Sequence, residues 1–165
     1  STEYLDDICN DYIVNTLQVI PANVGYHGFT KTTCISVNEE VCHAIPSAKK
    51  ILKDGDILNI DVAVIKDGYF GDTSRMYFVG EPTPEAKKLV ETTYEAMLAG
   101  IHTVRPGATL GDIGHAIQTY CEANGYSVVR ELVGHGVGRK MHEDPEVPNY
   151  GRSGSGPLLK KGMVM

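Results

Sequence analysis

Long apolar runs are missing from this 165-residue sequence. None approaches the roughly 20 residues that span a bilayer, so a membrane is not an expected partner. Basic residues are also in short supply: 15 Lys and Arg stand against 21 Asp and Glu, for a net charge of −6. Without a basic stripe to neutralise phosphates, direct nucleic-acid binding is not expected either. Cysteine is sparse, and Cys9, Cys34, Cys42 and Cys121 show neither CxxC spacing nor the density of a disulfide framework. Free thiols in a reducing, cytoplasmic compartment are the expectation. No internal repeat is visible. What remains is 42% hydrophobic and 22% charged, ordinary for a soluble globular chain, at a length that suits a single domain over residues 1–165.

The patterning predicts an α+β chain. Residues 2–18 read as an amphipathic helix with Leu5, Ile8, Tyr12 and Ile13 at helical spacing. "TTCISV" has β-branched strand character. Residues 57–65 alternate, with Leu58, Ile60, Val62 and Val64 on one face and Asn59, Asp61 and Ala63 on the other. Residues 69–79 read as the partner strand across Lys66-Asp67-Gly68. Thr83 and Pro84 open a clear helix as N-cap and first helical residue. Thr109 with Asp112 resembles a capping box, opening a helix that stops at Gly125. "YSVVREL" is expected to be a strand, and "NYGRSGSGP" a surface loop. Two groups of strands flanking a helical pair favour α+β over a repeating parallel sheet. Ser1-Thr2 reads as a cap rather than an initiator, and "LLKKGMVM" stops where an apolar strand begins. A fragment is therefore expected.

Chemistry concentrates in "IDVAVIKDGYFGDTS". With Asp67-Gly68 as the loop residues, Asp61 lies opposite Ser74. Asp72 is then one diagonal step away on the same face, at about 7–8 Å; a turn centred one residue earlier would put the two directly opposite, and either way they share a face. Like charges opposed across a ladder are destabilising unless a cation lies between them, and such a pair suits two divalent ions with one carboxylate bridging. Two solvated aspartates on an exposed face are the alternative. His135 lies between glycines in "GHGVG", where backbone can approach closely and hold an imidazole; a core histidine bonded to a backbone carbonyl is the other reading. His142 follows in "HEDP", and His43 lies in "VCHAIP". Three histidines in Gly- or Pro-flanked segments beside an aspartate hairpin point to metal-assisted hydrolysis. A mixed Asp/His donor set favours Mn, Fe, Co, Ni or Zn over Ca.

"GYHGFTKTTCISVNEEVCHAIP", "LKDGDILNIDVAVIKDGYFGDTSRMYFVG" and "VVRELVGHGVGRKMHEDPEVPNYG" resemble the type I methionine aminopeptidases, metallopeptidases of the pita-bread fold, in family order over nearly the whole chain. The opening "STEYLDDICNDYIV" is similar too. The resemblance implies an antiparallel sheet backed by helices, incomplete at its C-terminal end. It implies removal of the initiator methionine from nascent peptides with a small second residue, and two divalent ions (Co, Mn, Fe, Ni or Zn). Asp61, Asp72 and His135 match metal ligands, with Asp72 bridging. His142 matches the histidine at the scissile amide, and His43 the one that assists proton transfer to the leaving amine. Tyr26, Phe29, Cys34 and Met141 match the methionine pocket, although aromatic and sulfur side chains fill cores equally well. The partner implied is the N-terminal methionine of new chains, at the ribosome, for a monomeric parent in the cytoplasm.

The match has gaps. The family completes its metal site with two glutamates that lie beyond the position of Met165, and a helix precedes the position of Ser1. The fragment itself is therefore expected to be inactive. Asn23 stands where relatives carry a smaller or less polar residue. Two other readings compete: another pita-bread hydrolase such as a proline aminopeptidase, and a non-catalytic binding protein of that fold.

Overall fold

The computed structural model describes all of residues 1–165. The chain divides into two compact units, residues 1–86 with 138–141, and residues 87–137 with 142–165.

The first unit is a helix on a sheet. Helix α1 spans Thr2–Asp11 and continues as a π-helical turn over Tyr12–Thr16. Strands β1 (Ile20–Pro21), β2 (Thr33–Val37), β3 (Ile57–Lys66) and β4 (Tyr69–Phe78) follow. All pairings are antiparallel, with β3 central: β4 runs along one edge, and β2 and β1 share the other. The turn residues Asp67 and Gly68 both have positive φ, at 53° and 77°. That is the type I′ requirement, and it explains why an Asp-Gly pair sits there. The expected register holds: Lys66 pairs with Tyr69 and Asp61 with Ser74.

One face of this sheet is the core. Ile35, Val37 and Leu58 are buried, with Leu5, Leu52, Ile60 and Val79 packed against them. Each such burial is worth about 1.5–3 kcal/mol. Here α1 departs from the expected amphipathic helix. Tyr4, Ile8 and Tyr12 are exposed, and the helix buries Thr2 and Asp6, with Ile13 buried just beyond its end. Asp6 accepts from the Thr33 N–H at 2.7 Å and the Thr33 hydroxyl at 2.8 Å. Thr2 and Ser47 exchange hydrogen bonds, and the Thr32 hydroxyl bonds to Asn10. Of the expected apolar positions only Leu5 and Ile13 turn inward; beside them a polar seam docks the helix, satisfied throughout, as buried polar groups must be.

The second unit is built on two helices. In α2 (Pro84–His102) the Thr83 hydroxyl accepts from the Ala86 N–H, as the N-cap reading required. Helix α3 (Leu110–Ala123) opens on the expected Thr109–Asp112 capping box. A small-residue row, Thr92, Ala96 and Gly100, is buried on α2. A Cβ at Gly100 would lie 2.8 Å from the Ile117 side chain, so α2 and α3 touch through a glycine. Residues 126–132, expected as a strand, form none. β-propensity is contextual, and this run pairs with no strand of either sheet. Strands β5 (Gly134–Gly136) and β6 (Glu143–Val147) pair antiparallel, a pairing the glycine-rich sequence concealed.

Candidate active-site residues

The face of the first-unit sheet opposite the core carries the carboxylates. Cys34, Asp61 and Ser74 form one row across β2, β3 and β4, and Ala63 with Asp72 forms the next. Asp61 and Asp72 are thus diagonal neighbours on one face, Asp61 half-buried and Asp72 exposed. Beside them lies an apolar cluster of buried Ala22, Ala63 and Met141, with Tyr26, Ile65 and Phe70 packed on it. Of the expected pocket residues, the structure brings Tyr26 and Met141 onto this cluster and puts Cys34 in the row above. Phe29 is half-buried at the end of the turn that presents Tyr26. Phe70 and Ile65 were missed, although their period-2 spacing from Asp72 and Asp61 was the signal that could have found them.

The charge on this face is read out by its thiol. Burial pushes the Cys34 pKa up, with Asp61, Cys42 and then Asp72 adding to it, to about 12. Cys34 therefore stays protonated at neutral pH and acts as a small hydrophobe rather than a thiolate. Cys42 is also raised, by burial and then by Asp61. All four cysteines are free, as expected. Asn23 is buried and donates to the Thr32 carbonyl at 3.0 Å, so it braces the loop that carries Tyr26.

His43 is exposed, with φ of 56°, a left-handed conformation uncommon outside glycine. The next residue pins the loop to β2. The Ile35 N–H donates to the Ala44 carbonyl, and the Ala44 N–H to the Ser36 hydroxyl. The loop thus holds His43 at a sparsely populated backbone angle, the kind of outlier that motivates a functional reading.

In the second unit, His135 stands on β5 opposite Glu146, and a bulge follows it. A Cβ at Gly136 would lie 2.8 Å from the Glu143 carbonyl oxygen and closer still to the Asp144 carbonyl, so glycine is obligatory there. The His135 Nδ1 is 2.9 Å from the Gly136 carbonyl. A carbonyl can only accept, so Nδ1 carries the proton and a neutral ring has its lone pair on Nε2. That tautomer is the one a metal ligand needs. The His142 ring lies 4.2 Å from the His135 ring, centroid to centroid, at an interplanar angle of 44°. The two imidazoles of the expected site are therefore together.

The donor chemistry fits borderline divalent ions: carboxylates on one element, an oriented imidazole on another. No group of three or more His, Cys, Asp or Glu side chains is gathered closely enough to hold an ion. No helix is long and apolar enough to cross a membrane.

Comparison with known proteins places these observations in a class. The chain belongs to the metallopeptidase family M24, whose model matches residues 2–165, and its α+β fold is the pita-bread fold of that family. Among relatives, it is 54% identical over 163 residues to the methionine aminopeptidase of Rickettsia prowazekii and 56% identical over 165 residues to that of Haemophilus influenzae. Each match covers 99% of this chain, which spans 62% of the length of either relative. The crystal structure of the Rickettsia prowazekii enzyme matches with a TM-score of 0.95 over 99% of this chain and 65% of that one. Prolidase from Pyrococcus furiosus matches at 27% identity and a TM-score of 0.69, over 79% of this chain and 38% of that one.

Proposed function

We propose that residues 1–165 are part of one catalytic domain of a methionine aminopeptidase, a cytoplasmic monomer that removes the initiator methionine from nascent peptides with a small second residue as they leave the ribosome. The observation that carries this reading is the same-face pair Asp61 and Asp72 beside an apolar cluster, in a chain whose relatives are named methionine aminopeptidase. Asp61, Asp72 and His135 would hold two divalent metal ions of the Co, Mn, Fe, Ni or Zn type. Bound metal would supply a water of lowered pKa and polarisation of the scissile carbonyl. His142 would donate a hydrogen bond to the carbonyl oxygen as charge develops on it. His43 would help deliver a proton to the leaving amine. The amide C–N bond breaks; the water oxygen ends on the methionine carboxyl and a proton on the released amine.

Tyr26, Cys34, Met141 and Phe29 would line the methionine pocket. A soft apolar lining discriminates by shape, at about 1–3 kcal/mol per methylene. The test is methionine release from a Met-Ala peptide and hydrolysis of a Leu-Pro dipeptide, both by the natural full-length polypeptide with Mn or Co. Metal-dependent release from Met-Ala alone is the expected result. Cleavage of Leu-Pro alone would overturn the reading in favour of a prolidase, and no cleavage of either would favour a non-catalytic protein.

A further inference from the structure

Between the two histidines of the second unit, four residues leave it. Gly138–Met141 are part of the first unit and form a strap on the β3–β4 hairpin. The Phe70 N–H donates to the Gly138 carbonyl at 2.8 Å, and the strap turns back on itself where the Gly138 N–H meets the Lys140 carbonyl. Met141 is buried against Ala63 and Ala22. The outer end is held by Arg139, whose guanidinium carbon lies 3.9 Å from the centroid of the Tyr69 ring. Its Nη1 also reaches the Gly68 carbonyl, at 3.5 Å. A Cβ at Gly68 would come within 2.9 Å of Nη1, so the turn glycine leaves room for the arginine as well as adopting the turn.

We propose that Arg139 is a positioning residue for His142. The argument is covalent geometry. His142 follows Met141 by one peptide bond, so its Cα lies about 3.8 Å from that of Met141. Whatever fixes the strap on the hairpin therefore fixes the residue to which the backbone of His142 is joined. A guanidinium suits such a clamp because it stacks flat on an aromatic face while still donating to a carbonyl, which an ammonium does less well. The role of His142 belongs to the function proposed above, and the inference rests on that reading.

The test compares Arg139→Ala, Tyr69→Leu and Tyr69→Phe in the natural full-length polypeptide. The readouts are hydrogen exchange at the Phe70 amide, Mn2+ affinity by calorimetry, and kcat and KM on a Met-Ala peptide. Arg139→Ala and Tyr69→Leu are expected to speed Phe70 exchange at least about tenfold and to lower kcat on the order of 10²-fold, with Mn2+ affinity held and any rise in KM, through Met141 on the same strap, smaller than the fall in kcat. Tyr69→Phe keeps the ring and is expected to match wild type in all three. Faster exchange with unchanged kcat would overturn the proposal, leaving the clamp a purely structural device. Unchanged exchange would overturn it too. A wild type that releases no methionine, with exchange still dependent on Arg139, would refute the proposed function while supporting the docking of the strap.

Discussion

In the first unit, Asp61 and Asp72 stand on a ladder of ten consecutive residue pairs. In the second, His135 stands on a bulged ladder of three. The long ladder fixes which face each residue occupies through register alone, and any side chain that suits a strand will do at most positions. The short one cannot rely on register. It is held instead by a glycine against backbone, by a carbonyl that orients the imidazole, and by a ring neighbour. The same contrast runs through the rest of each unit. Around α1 the first unit spreads its seam over several side chains, whereas the loop after β6 converges on the first turn of α3 and on Gln118. Asp112 accepts from the Ser153 hydroxyl, the Gly154 N–H and the Thr109 N–H.

The largest effect should come from moving a carboxylate between faces of the ladder. In D72T/T73D the composition is unchanged, but the charge passes to the core side of the strand. Mn2+ affinity should fall by more than the roughly 10–100-fold that loss of an outer-shell partner costs; calorimetric titration measures it. An affinity within a few-fold of wild type would mean that the face does not matter.

Glycine substitutions sharpen the contrast. Gly136→Ala should destabilise by at least about 1–3 kcal/mol, because its Cβ would meet rigid backbone. Gly71→Ala, beside Asp72 on the long ladder, meets only a Val64 methyl at 3.8 Å, and should stay within about 0.5 kcal/mol of wild type. Urea midpoints of the two variants decide it. Equal losses would erase the distinction between a register-held and a glycine-held residue.

The smallest effect concerns acid. The Ser153 hydroxyl, then the Thr109 and Gly154 N–H groups, hold the Asp112 carboxyl well below the usual carboxylate range. A group whose folded pKa is depressed contributes stability that is full above its unfolded pKa and is lost as pH falls through the folded value. The stability difference between wild type and Asp112→Asn should therefore be constant from pH 7 to about pH 5 and shrink only below about pH 4. A difference that already fades at pH 6 would rule out this carboxylate as its source.

How much of this could be read from the amino acids depended on distance along the chain. The hairpin register was legible because the Asp67-Gly68 turn and the period-2 alternation are local, and they agree. The caps at Thr83 and Thr109 were legible for the same reason. The docked face of α1 was not, since the partners of Asp6 are 26 and 27 residues away and a buried carboxylate looks like a solvent-facing one until they are known. The β5–β6 pairing was hidden by glycines, which carry no strand signal. The 126–132 run carried a strand signal with no partner to receive it. At the candidate site, the residue types could be read from family resemblance and the Asp face from register. The strap that unites Met141 with Ala63 could not, because nothing local marks four residues as belonging to a different unit from their neighbours.

Asp6 has one more consequence. By binding Thr32 and Thr33, it joins the start of the chain to the start of β2, and everything between becomes a closed ring rather than a free arm. Closure of that ring is a fixed entropic cost met once, when the protein folds. Tyr26 lies inside it, so its arrival at the apolar cluster needs no further search by the chain. A substrate meeting that tyrosine would find a wall already standing.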